Sequence, residues 1–147
     1  MRALVQRVSE ACVSVEGQVT GEIKAGLVVF LGIRVDDDRR RAEHMAEKVI
    51  RLRIFPDSNG KMNRSLADFA GEMLVISQFT LYGDTRSGNR PSYSEAANRE
   101  IAEPIYDHFV QFCRHKLAVV RTGVFRANMQ VRLTNDGPVT LMCYSET

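Results

Sequence analysis

The stretch "GLVVFLGI", from Gly26 to Ile33, is a continuous apolar run that decides how the fold is built. A strand with one face in water alternates between apolar and polar residues, whereas this run is apolar on both faces. Such a strand is buried on both sides, either in the centre of a sheet or at a subunit interface. The rest of the chain is therefore expected to form a sheet around it.

The composition is that of one ordinary globular domain. Of the 147 residues, 44% are hydrophobic and 26% are charged, a balance that allows a single buried core. No stretch approaches the ~18 apolar residues of a membrane span, and the alternating N-terminus lacks the apolar block of a signal peptide. We expect a cytoplasmic protein without membrane association. A net charge of +2 neither indicates nor excludes nucleic-acid binding.

The cysteines and histidines do not predict a disulfide framework, a metal site or a nucleophile–base pair. The three cysteines lie far apart without CxxC spacing, so we expect three reduced thiols in apolar surroundings. The three histidines fall in predicted helices among charged neighbours, where histidine is mostly solvated or packed. We therefore predict no metal and no cofactor. These residues are Cys12, Cys113, Cys143, His44, His108 and His115.

The N-terminal half predicts three strands and one helix. The strands are "ALVQRV" with "CVSV", then "QVTGEI" after the turn at Gly17, then "GLVVFLGI". Carboxylates at 36–38 favour a helix N-terminus, and apolar residues follow at helical spacing. Those apolar residues are Ala42, Met45, Ala46, Val49 and Ile50.

The C-terminal half predicts further strands and a second helix. "EMLVISQFTLY", residues 72–82, is a strand whose second half leaves the apolar pattern, and a loop follows it. Pro104 lies either in the first turn of the helix or at a kink. The apolar face of that helix carries Ile101, Ile105, Phe109 and Phe112, and the strands "AVVRTGVF", "MQVRLT" and "VTLMCY" follow. The predicted fold is a single α+β domain, residues 1–147, with a mainly antiparallel sheet and two principal helices packed against it.

The segment "NDGPVT", from Asn135 to Thr140, separates two of these strands. Asn, Asp and Gly tolerate the positive φ values of tight turns, so Asn-Asp-Gly between two strands predicts a hairpin. Pro138 removes a backbone donor where strand pairing should begin, and a plain hairpin does not need that. An unusual backbone is therefore expected at Gly137-Pro138.

The polar stretch Ser77-Gln78-Phe79-Thr80 ends an apolar strand. A serine or threonine oxygen is a weak nucleophile unless a base takes its proton, and no base is evident in the sequence. Consecutive N–H groups at a strand end that the sheet does not use can instead form an oxyanion hole. The pattern leaves open both a catalytic element and a strand-to-loop junction with satisfied hydroxyls.

The motif "SQFTLYGDTRSGNRPSY", together with "NDGPVT", resembles the D-aminoacyl-tRNA deacylases, the chirality-proofreading enzymes of translation. The similarity runs from Met1 to the end of the chain, with "GEIKAGLVVFLGI", "RIFPDSNGKMN" and "MQVRLTNDGPVT" in matching order. It implies a carboxylic ester hydrolase that releases a D-amino acid from the 3' end of a tRNA, without a cofactor.

The resemblance also implies a homodimer, with a sheet that is barrel-like in the dimer and active sites shared between subunits. The backbone of Ser77, Gln78, Phe79 and Thr80 is expected to face the scissile ester. Chiral selection is assigned to Gly137, Pro138, Val139 and Thr140, with a cis Gly137-Pro138 bond that reaches into the partner's site and with Arg7 holding the unit. Residues expected around the terminal adenosine are Ala102, Phe125 and Met129.

The chemistry of such a site is consistent with the absence of a base. An aminoacyl ester is already activated and has a vicinal ribose hydroxyl, so hydrolysis needs positioning and oxyanion stabilisation more than a strong nucleophile. The family implies that the tRNA 2'-hydroxyl assists and that Thr80 is less than a true nucleophile. Rigid carbonyls beside the α-carbon can exclude an L side chain by overlap. Exclusion also predicts that glycine is accepted, as on a mischarged tRNA-Ala.

Other interpretations of the residues stay open. The chain could be a non-catalytic RNA-binding or dimerisation module with "GLVVFLGI" at its interface, or a thioesterase-like or peptide-binding enzyme with Thr80 as nucleophile. Without the resemblance, Phe125 and Met129 are core side chains, Ala102 packs a helix and Arg7 pairs with Glu10. The basic clusters that could contact phosphates are Arg39 to Arg41, then Lys48, Arg51 and Arg53, then Arg86 and Arg90, and Arg114 to Lys116.

Overall fold

Residues 1–145, which the computed structural model describes, form a single domain of strands and helices. In chain order these are β1 (Arg2–Val15), β2 (Gln18–Ile23), β3 (Gly26–Gly32), α1 (Arg39–Ile50), β4 (Phe55–Pro56), β5 (Met62–Arg64), α2 (Leu66–Phe69), β6 (Glu72–Ser77), a 3-10 helix (Phe79–Tyr82), α3 (Arg99–Lys116), β7 (Val120–Thr122) and β8 (Met129–Tyr144). The predicted α+β class is confirmed, and α1 and α3 are its two principal helices.

The long strand β1 organises the sheet because it pairs along both of its edges. One edge pairs antiparallel with β8, from Arg2 opposite Tyr144 to Val15 opposite Met129. The other edge pairs antiparallel with β3 and then with β2. β6 and β7 continue the sheet from β3 as parallel strands. The predicted mainly antiparallel sheet is confirmed, with these two parallel pairings in addition.

The sheet curls into a nearly closed barrel because β2 approaches β7. A Cβ atom added to Gly21 would lie 2.5 Å from the carbonyl oxygen of Thr122, so only glycine permits this approach. Apolar side chains fill the barrel interior, among them Val13, Val28 and Leu74. The barrel therefore has its own core.

A second, larger core lies between the outer face of the sheet and the helices. β3 contributes to both cores: Leu27, Val29 and Leu31 face the helices and Val28 faces the barrel interior. This alternation places "GLVVFLGI" in the centre of the sheet, which is one of the two positions that its two-sided apolar pattern predicts.

The two long helices follow the sequence pattern, with one difference. All five apolar residues predicted for α1 are buried, and the Asp38 carboxylate caps the helix by accepting from the Arg41 N–H. α3 begins at Arg99, which puts Pro104 in its second turn. Ile105 and Phe109 are buried as predicted. Ile101 is 39% exposed, Phe112 is half-buried, and Ala102, Tyr106 and Cys113 complete the buried face instead.

The hairpin predicted at Asn-Asp-Gly is wrong. Met129–Tyr144 is one continuous strand, and both of its halves pair with β1 in the same antiparallel sense. Asn135 lies opposite Val8 and Thr140 opposite Gln6, so residues 136–139 face a gap that holds only Arg7. The turn-forming residues therefore make a bulge in a strand that continues, because β1 supplies a partner on both sides of it.

The cysteines are free thiols, as predicted. Cys113 and Cys143 are buried and Cys12 is half-buried. Burial raises the pKa of the Cys113 thiol to about 12 and also raises the pKa of Cys143. Within residues 1–145, no helix is long and apolar enough to cross a membrane.

A buried ion pair joins the start of β1 to the turn before α1. The Met1 ammonium nitrogen lies 2.9 Å from Asp37 Oδ2, and both side chains are fully buried. The Arg34 N–H also donates to Asp37 Oδ2 at 2.7 Å. Because the hydroxyl of Ser145 accepts from the same ammonium at 2.6 Å, this pair connects three segments of the chain.

Asp37→Ala is expected to destabilise the fold by about 3 kcal/mol, because the variant removes a buried carboxylate that binds both the Met1 ammonium and the Arg34 N–H. Asp36→Ala is the matched control, since Asp36 is exposed and makes only surface ion pairs with Arg34 and Arg41. Urea unfolding followed by circular dichroism measures both. Equal midpoints for the two variants would show that the buried pair contributes no more than a surface one.

Candidate functional site

The parallel strands β3, β6 and β7 place three loops at one edge of the sheet. Adjacent parallel strands have their carboxyl ends at the same edge, so the segments after Gly32, Ser77 and Thr122 emerge side by side. The N-terminus of α3 lies beside them, because the Ala97 N–H donates to Ile33 O at 2.9 Å. These segments enclose a cavity.

That cavity has a volume of about 620 Å³. Its wall brings together residues from three distant parts of the sequence that were predicted to share a site. Ser77, Gln78 and Phe79 come from the end of β6 and the residues after it, Ala102 from α3, Phe125 from the segment between β7 and β8, and Met129 from the start of β8. Of the four residues in the Ser-Gln-Phe-Thr motif, Thr80 is outside the wall and exposed on the 3-10 helix.

The ring of Phe125 packs against the ring of Tyr106, a residue of α3. The two ring centroids lie 5.7 Å apart, and the Tyr106 hydroxyl donates to Val75 O at 2.8 Å. Burial raises the pKa of Tyr106 well above its usual range, so the phenol stays protonated and keeps this hydrogen bond. Phe125 is therefore held in place by Tyr106 of α3, which is itself bound to Val75 of β6.

Two backbone donors are unused at the end of β6. The Gln78 N–H still donates to Leu31 O at 2.8 Å, but within residues 1–145 neither the Phe79 nor the Thr80 N–H has a hydrogen-bond acceptor. Both belong to the first turn of the 3-10 helix, where no preceding carbonyl is in place. The structure thus presents two adjacent free donors, which is the arrangement an oxyanion hole requires.

The Thr80 hydroxyl has an amide for a partner and no base. Gln78 Nε2 donates to Thr80 Oγ1, and no imidazole, carboxylate or amine in the described part of the chain hydrogen-bonds that oxygen. The histidines lie on helices, and His108 pairs with Glu43 at 2.7 Å between α1 and α3. The geometry therefore gives no activation to Thr80 as a nucleophile.

The rim of the cavity next to Phe79 is aromatic and braced. Phe79 is 55% exposed and meets Tyr93 edge to face, with ring centroids 5.1 Å apart. The loop before Tyr93 is closed by backbone hydrogen bonds between Asp84 and Ser92. The Arg86 side chain, followed by its backbone N–H, lowers the pKa of Asp84 to about 2, so this carboxylate is ionised at neutral pH.

Gly137 and Pro138 do not line this cavity. The peptide bond between them is cis, as the resemblance implies, and both residues are exposed. β8 is extended from Met129 to Asn135, so Gly137 lies roughly 20 Å along the strand from the cavity wall. The cavity and the Gly137-Pro138 unit of the chain are therefore separate places on its surface.

The bulge that carries this unit is held by side chains. Arg7 Nε donates to Asp136 O at 3.2 Å and Arg7 Nη1 to Ile54 O at 2.6 Å. Asn135 accepts from the Val139 N–H at 3.2 Å and donates to Thr140 Oγ1 at 2.8 Å. Arg7 thus holds the bulge in place. Its ion pair is with Asp136, at 3.4 Å between Nε and Oδ2, where the alternative interpretation had paired it with Glu10.

Two of the basic clusters meet at the C-terminal ends of the long helices. Glu47 accepts from Lys116 at 3.1 Å and from Arg51 at 3.1 Å, and these two pairs lower its pKa, Lys116 most of all. The Arg39 and Arg40 side chains are exposed at the other end of α1. The fold therefore brings basic residues of α1 and α3 together on one surface.

The cavity residues that escaped the sequence analysis include Asn98, Arg99 and Arg126. Asn98 caps α3, because its side chain accepts from the Ile101 N–H at 3.1 Å, and Arg99 pairs with Glu103 at 2.7 Å. An Asn preceding an amphipathic run is a cap signal, so Asn98 could have been found. Arg126 follows a strand end within a loop, where the sequence carries no periodic signal.

Comparisons with known proteins agree along almost the whole chain. The family model described as D-Tyr-tRNA(Tyr) deacylase matches residues 4–144. A D-aminoacyl-tRNA deacylase of Thermosipho africanus (strain TCF52B) is 55% identical over 146 residues, which are 99% of this chain and 98% of that protein. One from Escherichia coli O81 (strain ED1a) is 53% identical over 140 residues, 95% of this chain and 97% of that protein.

Solved structures share the fold. A structure described as c-Myc DNA Unwinding Element Binding Protein superimposes with a TM-score of 0.95 at 39% identity and covers 100% of both chains. A probable eukaryotic D-amino acid tRNA deacylase superimposes with a TM-score of 0.84 over 97% of both chains. At 16% identity, the latter likeness concerns the fold alone.

Asn98→Ala is expected to lower stability by about 1 kcal/mol and to loosen the first turn of α3, because the cap of the Ile101 N–H is lost. Asn98→Asp is the control, since a carboxylate caps equally well and is favoured at a helix N-terminus. Urea unfolding and hydrogen exchange of residues 99–102 report the two effects. Unchanged exchange in Asn98→Ala would show that the cavity wall does not depend on this cap.

Proposed function

Because the chain belongs to the D-aminoacyl-tRNA deacylase family, hydrolases that act on D-aminoacyl-tRNA, we propose that the ester is cleaved in the cavity at the carboxyl ends of β3, β6 and β7. The observation that carries this assignment is that the end of β6 and the apolar wall made by Phe125 and Met129 meet at one cavity. Of the two free N–H donors, the Phe79 N–H belongs to a residue of the cavity wall, and the Thr80 N–H belongs to the residue that follows it. Aminoacyl-tRNA is the partner that this activity requires.

The terminal adenosine of the tRNA is assigned to the wall formed by Ala102, Phe125 and Met129. A nucleobase has two apolar faces, and an aromatic ring together with a thioether gives it flat, polarisable contacts. Ala102 leaves room where a larger side chain would fill the space. The rigid support of Phe125 by Tyr106 favours a fixed orientation of the ribose that carries the ester.

The cleavage step follows from the donors at the end of β6. Water adds to the ester carbonyl, and the Phe79 and Thr80 N–H groups stabilise the negative charge that develops on its oxygen. The bond between the carbonyl carbon and the ribose oxygen then breaks, and that oxygen leaves as a hydroxyl after taking a proton. The vicinal hydroxyl of the ribose can relay the proton, so no protein base is required.

Handedness is assigned to Gly137-Pro138 of a second copy of the chain. The unit is exposed, lies away from the cavity of its own protomer and is held rigidly by Arg7 and Asn135. A unit so placed can act on a cavity only if the cavity belongs to a partner. The active molecule is therefore a homodimer with two shared sites.

The free edge of β8 supports such a dimer. Within residues 1–145, β8 pairs with β1 along one edge, while its other edge pairs with no strand. A long exposed edge invites pairing with another chain. Leu141 and Tyr144 on the same strand are 37% and 50% exposed, so an association there would also remove apolar surface from water.

Selection in this arrangement works by exclusion. A fixed main chain beside the α-carbon leaves space for a hydrogen atom and overlaps with an L side chain, whereas a D side chain points away. Glycine has no side chain to overlap. Glycyl-tRNA-Ala, a mischarged product, is therefore accepted, and L-alanyl-tRNA-Ala is spared.

The enzyme is expected to release the amino acid from D-tyrosyl-tRNA and from glycyl-tRNA-Ala and to spare L-tyrosyl-tRNA, as measured with 3'-labelled tRNA. Thr80→Ala is expected to stay within about tenfold of the wild-type rate, because the loss of an oxyanion donor costs 10²- to 10³-fold and this substitution keeps the backbone N–H. Complete loss with a trapped Thr80 adduct would establish the nucleophile mechanism instead. A wild-type protein that leaves D-tyrosyl-tRNA intact would be a binding module.

Mixed dimers test the shared site. Ala102→Phe fills the cavity, and Gly137→Val strains a residue at φ +124°, where a Cβ would also lie 2.9 Å from Arg7 Nη2. Each variant alone is expected to be inactive. Co-refolded in equal amounts, they should recover about a quarter of the wild-type activity, because half of the dimers are mixed and each contains one intact site.

Light scattering and circular dichroism verify that both variants are folded dimers. A mixture as inactive as its parents would show that each site comes from a single protomer.

A further inference from the structure

Arg126 lies at the mouth of the cavity, next to Phe125 in the wall. It is exposed, in a turn that the Ala127 N–H closes by donating to Val124 O at 3.2 Å. The preceding residue faces the site assigned to the terminal adenosine. The Arg126 guanidinium can therefore reach whatever continues from that nucleoside toward solvent.

The backbone of Arg126 is in the left-handed region, with φ at +65°. A residue with a Cβ atom is strained there, and glycine or asparagine is the usual occupant of this position in a turn. Arginine at this place therefore weakens the turn relative to glycine. A side chain that stabilised the fold through its contacts would offset this effect.

Within residues 1–145, Arg126 makes no hydrogen bond and no ion pair that could do so. Arg99, which also lines the cavity, pairs with Glu103 at 2.7 Å, and the Glu100 carboxylate acts on the same Arg99 guanidinium. Arg126 is therefore a guanidinium of the cavity lining that has no ion-pair partner in the described part of the chain.

We propose that Arg126 binds the phosphate that links the terminal adenosine to the nucleotide before it, and so positions the 3' end of the substrate. The inference rests on the proposed function, because that places the adenosine against Phe125. A phosphate is the anionic group nearest to a bound adenosine, and guanidinium binds phosphate through paired N–H donors. The contact reads no base, so it acts on every tRNA alike.

Arg126 belongs to the part of the wall next to Phe125, and not to the end of β6 that carries the proposed oxyanion donors. Arg126 is accordingly a binding residue of the substrate and not part of the cleavage step. Its loss should raise KM and leave kcat unchanged.

The test compares two small substrates, 3'-O-D-tyrosyl-adenosine and the same ester with a 5'-phosphate. Wild-type enzyme is expected to prefer the phosphorylated ester by about tenfold in kcat/KM, the effect of one charge-assisted hydrogen bond. Arg126→Gly should remove this preference while it keeps the rate on the unphosphorylated ester. Because glycine relieves the left-handed strain, Arg126→Gly should also unfold at an equal or higher temperature.

On full-length D-tyrosyl-tRNA, Arg126→Gly and Arg126→Gln should both raise KM, and the slope of log KM against log salt should fall by about 0.7, the effect of one phosphate contact on a single strand. Arg121→Gln, an exposed arginine of β7 outside the cavity wall, is the matched control and should behave as wild type. An unchanged phosphate preference in Arg126→Gly overturns this inference and leaves the deacylase function intact. A wild type that hydrolyses none of these esters overturns both.

Discussion

The pairing of β1 with β8 is the constraint on which the rest of the structure depends. It runs along almost all of both strands, and the opposite edge of β1 pairs with β3 and β2. Every other strand of the main sheet is therefore placed relative to β1. The same pairing also sets the positions of two parts of the proposed site. The first residue of β8, Met129, lies in the cavity wall, and the middle of β8 carries Gly137 in the bulge. A change in register would move both together and would turn each side chain to the other face.

The chemistry of the proposed site comes mainly from the main chain. Its donors are N–H groups left free where β6 turns into a 3-10 helix, and the selector that we propose is a stretch of backbone held by Arg7. Backbone groups fixed by a sheet do not need to reorganise when charge develops, which is why they stabilise an oxyanion well. Such a site needs neither a metal nor an activated hydroxyl. Thr80, held by the amide of Gln78, fits this description as a neighbour of the reacting groups.

Side chains in turn set what can enter the site. Phe125 is supported by Tyr106 and Val75, so the apolar wall is as rigid as the sheet behind it. Arg126 is different, because its backbone is strained and its guanidinium has no partner in the described chain. The contrast separates residues that build the pocket from one that is available to a ligand. Rigid walls with a few free polar groups are what small-molecule and nucleotide sites have in common.

The sequence by itself determined the local structure. Two-sided apolarity predicted that β3 lies in the sheet centre or at a subunit interface, helical spacing predicted α1 with all its buried residues, and the polar end of β6 marked a strand end where a site could form. The motif resemblance gave the family and the expected site residues. The tertiary structure decided what depends on distant partners. Asn-Asp-Gly has the local preferences of a hairpin, yet the strand continues because β1 pairs with both halves of β8 that flank it. Turn propensity carries no information about a pairing partner more than a hundred residues away in the sequence. The meeting of Ser77, Ala102 and Phe125 likewise follows from the parallel order of β3, β6 and β7, which no local pattern encodes.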